Sequence, residues 1–341
     1  MTLMRARGIA LAGAAAVLLV ACGGGGGGGG SSSNASLTIA FLPKQVNNPY
    51  FDVAASGGQE AAQALGGQFK QVGPSEASGS AQVPYIQTLT QQHVSAIVVS
   101  ADDPDAIAPA LKQAMQRGIK VVGYDSSPAT DARNVFVNQA ESRAIGESQV
   151  KLICDEIPGC SSQIGIVSAT STATNQNAWI NYMQQALQGN SQYANLKLVK
   201  TVYGNDDPQT SVTVTQGLLQ AYPDLKGIIA PTSVGIVAAA QVLEQTGKAG
   251  KVALTGLGTP NSMKQYVKDG TAKEFALWNV KDLGYLSYYI AALLAQDKIK
   301  GHPGDKFTAG RLGGYTIGPD GVVVLGPPFV FNASNIDQFN F

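Results

Sequence analysis

One strand–helix–strand unit decides the fold class: SAIVVSADDPDAIAPALKQAMQRGIKVVGYD, residues 95–125. Two short apolar runs, 95–100 and 119–124, flank a helix-length segment over 104–117. Strands that are apolar along nearly their whole length, separated by a helix, are typical of parallel sheets whose two faces are both covered. The unit therefore predicts an α/β fold with parallel strands.

The same alternation continues along the chain from residue 36 onward. Further candidate strands are 37–42, 68–73, 163–168, 196–203, 226–230, 251–256 and 273–278. Helix-length segments lie between them, at 49–65, 81–92, 140–156, 175–188, 208–222, 233–247, 260–269 and 282–298. The later elements echo the earlier ones at an offset of about 130 residues, which predicts two Rossmann-like lobes. Ligands in such sheets bind outside the carboxyl ends of the strands, so we expect a cleft between the lobes.

Composition excludes several classes of function. The 341 residues hold 23 Lys+Arg and 23 Asp+Glu, and this zero net charge argues against a nucleic-acid partner. A hydrophobic fraction of 44% argues against disorder. Two histidines and three cysteines leave little for a metal site, and the chain has no G-x-S-x-G nucleophile elbow. We therefore expect neither an enzyme nor a bound metal or cofactor.

The start of the chain predicts export. Residues 1–21 combine two arginines with an apolar run over 9–20, which is too short for a bilayer span of about 20 residues but typical of a signal peptide. The small residues before Cys22 resemble the bacterial lipoprotein cleavage box, so we expect Cys22 to be lipidated. An ordinary secretory signal is the alternative. Residues 22–35 would form a flexible Gly/Ser tether to a bacterial membrane.

Two further cysteines, Cys154 and Cys160, lie on either side of the turn signal formed by residues 157–159. An oxidising compartment outside the cytoplasm favours a disulfide between them. The alternative is a pair of free thiols at the end of a helix.

Polar and aromatic side chains follow several of the predicted strands at one edge of each sheet. They are Lys44, Asn48, Tyr50, Phe51, Asp125, Asn175, Gln176, Asn177, Pro231, Thr232, Ser233, Trp278 and Asn279. This set offers hydrogen-bond donors, acceptors and aromatic faces but no nucleophile–base pair, which favours the binding of a polyol. Simpler roles compete, namely helix capping for Asn175 and Asp125, packing for the aromatic residues and Trp179, and a solvated charge for Lys44.

Several stretches resemble the type I periplasmic sugar-binding proteins of ABC importers. They are FLPKQVNNPYFDVAASGGQEAAQALGG (41–67), VVSADDPDAIAPAL (98–111), ATNQNAW (173–179), GIIAPTSVGIVAAA (227–240), TGLGTPNSMKQYV (255–267) and ALWNVKDLGY (276–285). The resemblance covers essentially residues 36–341. Within that family the sequence is most similar to the rhamnose-binding branch, whose near relatives bind the quorum signal autoinducer-2.

The resemblance implies a set of ligand contacts. Lys44, Asp125, Gln176 and Pro231 match contact positions of the autoinducer-2 branch, and Tyr50 with Phe51 matches an aromatic pair of the sugar-binding superfamily. Three positions depart from their relatives: Asn175 replaces an Asp, Ser233 replaces an Ala, and Gly258 stands where many relatives have an Asp. The loss of a carboxylate at position 175 favours a sugar over autoinducer-2.

The resemblance also implies a domain plan and a mechanism. Three crossovers, near 134–139, 278–281 and 309–316, would join an N-terminal lobe (36–138 plus 280–309) to a C-terminal lobe (139–278 plus 314–341). The expected function is that of a monomeric, extracytoplasmic, lipid-anchored protein that closes on rhamnose or a similar monosaccharide and delivers it to an ABC permease. The alternatives are an autoinducer-2 receptor and a receptor that signals to a chemoreceptor or sensor.

Overall fold

The structure, a computed structural model, describes residues 37–341. The predicted signal peptide, Cys22 and the Gly/Ser tether lie outside the described residues. Among the helices in the described part of the chain, none combines the length and the apolar character that crossing a membrane requires.

Helices and strands alternate from β1 to α9 as the sequence predicts, except that β5 follows β4 without an α-helix, and four short strands follow α9. The strands are β1 Thr38–Leu42, β2 Gln68–Gln71, β3 Ala96–Val99, β4 Lys120–Tyr124, β5 Val135–Asn138, β6 Ser162–Ser168, β7 Leu196–Tyr203, β8 Leu225–Ala230, β9 Ala253–Gly256, β10 Glu274–Leu277, β11 Lys306–Thr308, β12 Gly314–Thr316, β13 Val322–Val324 and β14 Phe329–Asn332. The α-helices are α1 Pro49–Leu65, α2 Gly79–Gln91, α3 Pro104–Gln116, α4 Ser142–Glu156, α5 Thr174–Gly189, α6 Pro208–Ala221, α7 Ser233–Gln245, α8 Pro260–Lys268 and α9 Val280–Ala295.

Two parallel sheets form the framework of the described residues. The first has the strand order β13-β5-β4-β3-β1-β2, and the second has the order β7-β6-β8-β9. Beside the second sheet, β10 pairs antiparallel with β14, and a bridge between Leu257 and Ala276 connects β10 to the end of β9. The two-lobe α/β architecture expected from the sequence is therefore present.

Both faces of the first sheet are buried, as the apolar strands predict. Along β3, Ile97 and Val99 pack in a cluster with Leu111 of α3. Val98, which points to the opposite face, packs in a second cluster with Leu286 of α9. Successive strand residues point to opposite faces of a sheet, so a strand buried on both sides must be apolar at every position.

Three helices begin where an Asn or Asp is followed by proline. The side chains of Asn48, Asp103 and Asp207 accept hydrogen bonds from backbone N–H groups in the first turns of α1, α3 and α6. The proline after each cap lacks the N–H that would otherwise need a partner, and its fixed φ suits the first helical turn. Each helix consequently begins a few residues beyond the carboxyl end of a strand, so the intervening loops are short.

The last part of the chain differs from the sequence prediction. Residues 314–341 were expected in the C-terminal lobe, but β13 pairs in parallel with β5 at the edge of the first sheet. The segment 134–139, expected only as a crossover, contains the strand β5, which pairs with both β4 and β13. The run of three valines at 322–324 suits an edge strand, although three residues give too short a pattern to identify one from sequence.

A disulfide joins Cys154 near the end of α4 to Cys160, with 4.6 Å between their Cα atoms. It closes the turn over residues 157–159 that precedes β6.

Two glycines allow α1 and α9 to pack closely. A Cβ on Gly57 would lie 1.8 Å from the carbonyl oxygen of Lys281, and a Cβ on Gly284 would lie 1.8 Å from the carbonyl oxygen of Ala54. Both contacts are with backbone atoms, which cannot move away by a change of rotamer as a side chain can. The close packing of α1 against α9 therefore requires glycine at positions 57 and 284.

We predict that Gly57→Ala lowers the free energy of unfolding by about 1–3 kcal/mol or more, because an added methyl group forces the two helix backbones apart. The matched control is Gly217→Ala on the exposed side of α6, where nothing lies within 4 Å of the added Cβ. There the better helix propensity of alanine should raise stability by about 0.5–1 kcal/mol. Urea denaturation of both variants tests this, and equal effects would contradict the packing argument.

Candidate functional site

The carboxyl ends of the strands bring the predicted residues around one cavity whose mouth is open to solvent. Every predicted binding residue except two lines it: Lys44, Asn48, Tyr50, Phe51, Asp125, Asn175, Gln176, Pro231, Thr232, Ser233 and Trp278. The first five follow strands of the first sheet, and the next five follow strands of the second. The cavity therefore lies between the two sheets, at the edge that parallel strand order predicts.

The carboxylate of Asp125 is the most highly connected polar group in the cavity. Its Oδ1 accepts hydrogen bonds from the Tyr50 hydroxyl at 3.1 Å and from Asn175 Nδ2 at 3.2 Å. Its Oδ2 accepts one from the Ser100 hydroxyl at 2.7 Å and lies 3.6 Å from Lys44 Nζ. Tyr50, Ser100 and Lys44 belong to the first sheet side, whereas Asn175 belongs to the second, so this one carboxylate joins both walls.

Asn175 uses both ends of its amide in this contact. Its Nδ2 donates to Asp125, while its Oδ1 accepts from Lys44 Nζ at 3.3 Å and from the backbone N–H of Gln176. An aspartate at this position would offer acceptors only and would place a second negative charge beside Asp125. The amide can donate to Asp125 while it accepts from Lys44, which an ionised aspartate at this position could not do.

Tyr50 links the aromatic part of the cavity to this carboxylate. The indole Nε1 of Trp278 donates to the Tyr50 hydroxyl at 3.1 Å, and that hydroxyl donates to Asp125. Burial, together with the negative charge of Asp125, raises the pKa of Tyr50 well above its usual value. Tyr50 consequently stays protonated and remains a donor. Trp179, with its ring centroid 5.8 Å from that of Trp278, extends the aromatic surface.

Four lining residues were not among the predicted site residues: Trp179, Asp206, Leu257 and Leu277. Asp206 follows β7 and is only 6% exposed, and it accepts a hydrogen bond from the Thr232 hydroxyl. Burial raises the pKa of Asp206, and the positive charge of Lys44 opposes that rise. The signal that could have identified Asp206 is its place after a predicted strand, at the same edge as Asp125.

Two predicted residues do not reach the cavity. Asn177 is exposed on α5, and its Nδ2 donates to the carbonyl of Ser171. Asn279 caps α9, where its Oδ1 accepts from the backbone N–H of Asp282 at 3.0 Å. Both are next to a lining residue in sequence, but the direction of the chain turns their side chains outward. Within residues 37–341, no group of three or more His, Cys, Asp or Glu side chains is placed to hold a metal ion.

Removing the hydroxyl in Tyr50→Phe should lower the free energy of unfolding by about 1–3 kcal/mol, because the Trp278 N–H loses its acceptor and Asp125 loses a donor in a buried site. The control is Tyr203→Phe, since the Tyr203 side chain is among the exposed large hydrophobic ones. Chemical denaturation followed by tryptophan fluorescence measures both variants. Equal stability of Tyr50→Phe and the wild type would contradict this hydrogen-bonded chain.

Comparison with known proteins agrees with this architecture. Residues 39–299 match the family model described as "Periplasmic binding protein domain". The chain is 48% identical to a sugar ABC transporter protein of Actinomyces odontolyticus, over 89% of this chain and 98% of that one, with a TM-score of 0.72.

Two further solved structures, each covering 89% of this chain, contain ligands. An ABC transporter solute-binding protein of Clostridium phytofermentas with bound L-rhamnose is 38% identical over 98% of its length, with a TM-score of 0.85. LsrB of Clostridium saccharobutylicum in complex with AI-2 is 26% identical over its whole length, with a TM-score of 0.85.

Proposed function

Since this chain belongs to the periplasmic binding protein family, as a solute-binding protein of the sugar ABC transporter type, we propose that it binds rhamnose or a similar monosaccharide by closing its two lobes on it. Proteins of this family are substrate-binding components of transporters rather than enzymes, and they act outside the cytoplasm. The proposal concerns the particular sugar, the closing motion and the membrane anchor.

The two walls of the cavity come from different sheets, and this observation supports closure on a ligand. Lys44 and Asp125 come from the first sheet, whereas Asn175 and Thr232 come from the second. A ligand shifts a conformational equilibrium only when it binds one state better than the other, and a molecule that contacts both walls binds the closed state better. We assign β13 to the first lobe with its sheet, and we place the hinge where the chain passes between the sheets: after β5, between β10 and α9, and between β13 and β14 instead of at 309–316.

The choice of a deoxy sugar rests on the contrast between two parts of the cavity. Asp125, Lys44 and Asn175 form a polar part suited to vicinal hydroxyls. Leu257, Leu277 and the tryptophan pair form a carbon-rich part, in which the Trp278 N–H is already bonded to Tyr50. A 6-deoxyhexose carries a methyl group beside its hydroxyls and fits that combination. The similarity to a protein crystallised with L-rhamnose agrees with this choice.

Autoinducer-2 is the second candidate, because a neighbour of similar fold was crystallised with AI-2. The position that resembles an Asp of that branch is Asn175 here, and its amide is committed to the Lys44–Asp125 pair. At this position the cavity has an amide where that branch has a carboxylate, which favours a sugar.

The proposed context is a lipid-anchored importer subunit. Cys22 would carry the lipid, residues 22–35 would connect it to the folded body, and the body would act as a monomer. The sugar-loaded, closed protein would then dock on an ABC permease in the same membrane. A receptor that signals to a chemoreceptor or sensor would use the same closure with a different membrane partner.

We predict that Asp125→Asn weakens L-rhamnose binding at least tenfold, because the amide donates where the site needs an acceptor and leaves Lys44 without its counter-charge. Asp131→Asn is the matched control, since the Asp131 side chain is 72% exposed and its ion pair with Lys112 lies on the surface. Isothermal titration calorimetry at fixed salt measures both. Unchanged affinity in Asp125→Asn would remove this carboxylate from the site.

We also predict that the site prefers a sugar that carries a methyl group at C6. L-Rhamnose should bind at least about tenfold more tightly than L-mannose, which carries a hydroxyl at C6, and than L-lyxose, which lacks C6. The hydroxyl would be buried without a partner against the carbon-rich part, at a cost of about 1–3 kcal/mol. Calorimetric titration of the three sugars tests this, and equal affinities would contradict the role given to Leu257 and Leu277.

A further inference from the structure

Three of the hydrogen bonds that join the two lobes outside the ligand cavity lie together at one part of the rim of the cleft. Gln45 Nε2 donates to the carbonyl oxygen of Asp206 at 2.9 Å. Thr170 Oγ1 donates to Asp102 Oδ1 at 3.1 Å, and Thr172 Oγ1 donates to the Asp102 carbonyl oxygen at 3.0 Å. Gln45 and Asp102 follow strands of the first sheet, whereas the other three residues follow strands of the second.

Two of these rim contacts are shielded from solvent, whereas the third involves Thr172, which is exposed. Gln45, Asp102, Thr170 and Asp206 are each less than 9% exposed. Burial raises the pKa of Asp102, and both the charge of Lys44 and the hydrogen bond from Thr170 oppose this rise. Bringing such groups out of water is costly unless each finds a partner, so the cross-lobe hydrogen bonds decide whether contact between the two rims is favourable.

One buried side chain holds the first-lobe half of this contact in place. Gln82 of α2 is fully buried, and its Nε2 donates to the carbonyls of Pro43 and Ser100. Its Oε1 accepts from the backbone N–H of Asp102 at 3.1 Å. The loops that carry Gln45 and Asp102 are thus fixed to each other through α2. A preformed acceptor loses little conformational entropy when the second lobe arrives.

The rim residues differ from the binding residues in what they contact. The cavity lining includes none of the four side chains Gln45, Asp102, Thr170 and Thr172. Asp206 does line the cavity with its carboxylate, but Gln45 contacts its backbone carbonyl oxygen. The donors and acceptors on both sides belong to the protein. The free energy of these contacts is therefore the same whichever molecule occupies the cavity.

We propose that Gln45, Asp102, Thr170, Thr172 and the Asp206 carbonyl form a rim latch, a set of positioning contacts that stabilises the closed state independently of the ligand. The apparent dissociation constant equals the intrinsic one divided by the fraction of protein in the binding-competent state. The rim latch consequently sets the affinity for every ligand by a common factor, whereas the cavity sets the differences between ligands. The rim latch rests on the proposed function for the closing motion, and its binding readout also rests on the proposed sugar.

The test is the double variant Thr170→Val/Thr172→Val, which removes both hydroxyl donors and keeps the branched shape of the side chains. Two hydrogen bonds of ordinary net strength correspond to a change in affinity of about fivefold to a hundredfold. Calorimetry should show that the variant binds L-rhamnose and L-mannose more weakly than the wild type by the same factor. The ratio of the two affinities should stay unchanged within about twofold. Small-angle scattering of the sugar-free variant should show a larger radius of gyration than that of the wild type.

The control is Thr213→Val, because the Thr213 hydroxyl donates within its own helix to the carbonyl of Gln209. It should leave affinity and radius of gyration unchanged. Affinities of the double variant that match the wild type, or a changed ratio between the two sugars, would overturn the proposal. If neither sugar binds the wild type, the proposed function fails, while the scattering comparison still decides whether the rim latch exists.

Discussion

The arrangement of the site depends on one buried carboxylate that receives donors from both lobes. Asp125 accepts from Tyr50 and Ser100 on its own side and from Asn175 on the other, with Lys44 close by. An unpaired buried carboxylate is among the most unfavourable groups in a protein, so all of these partners must be present when the cleft is closed. The amide of Asn175 and the hydroxyl of Tyr50 both supply donors that this carboxylate needs.

Much of this could be predicted from the sequence because the relevant signals are local. The bounds of α1 follow from the Asn48–Pro49 pair at its start and from Gly66, which ends the helix in the left-handed region at φ 66°. The edge of the sheet follows from strand order, and in the structure Lys44, Asp125 and Trp278 line one cavity at that edge. No individual residue carries that inference. It comes from the rule that parallel strands end on the same side.

The site features that the sequence does not predict depend on the backbone conformation of two or three residues. Asn177 and Asn279 have the right residue type beside the right strands, but the turn into a helix directs them outward. Asp206 reaches the cavity because Asn205 and Asp206 both take positive φ values, 55° and 50°. Positive φ values are uncommon for residues other than glycine. An Asn-Asp pair tolerates them, but its presence in the sequence does not predict them. The strand β13 depends on a partner almost two hundred residues earlier in the chain.

The charges in the cavity set a further condition on the ligand. One lysine faces two carboxylates, and Asp125 together with Asn175 already occupies that lysine. An anionic ligand would therefore meet Asp206 without a free cation to balance it, whereas an uncharged polyol can donate its hydroxyl protons to either carboxylate. Because burial disfavours the ionised form of Asp206, a hydroxyl donor from a bound polyol would stabilise its negative charge. In the proposed function, closure and recognition of a neutral ligand would therefore depend on the same buried groups.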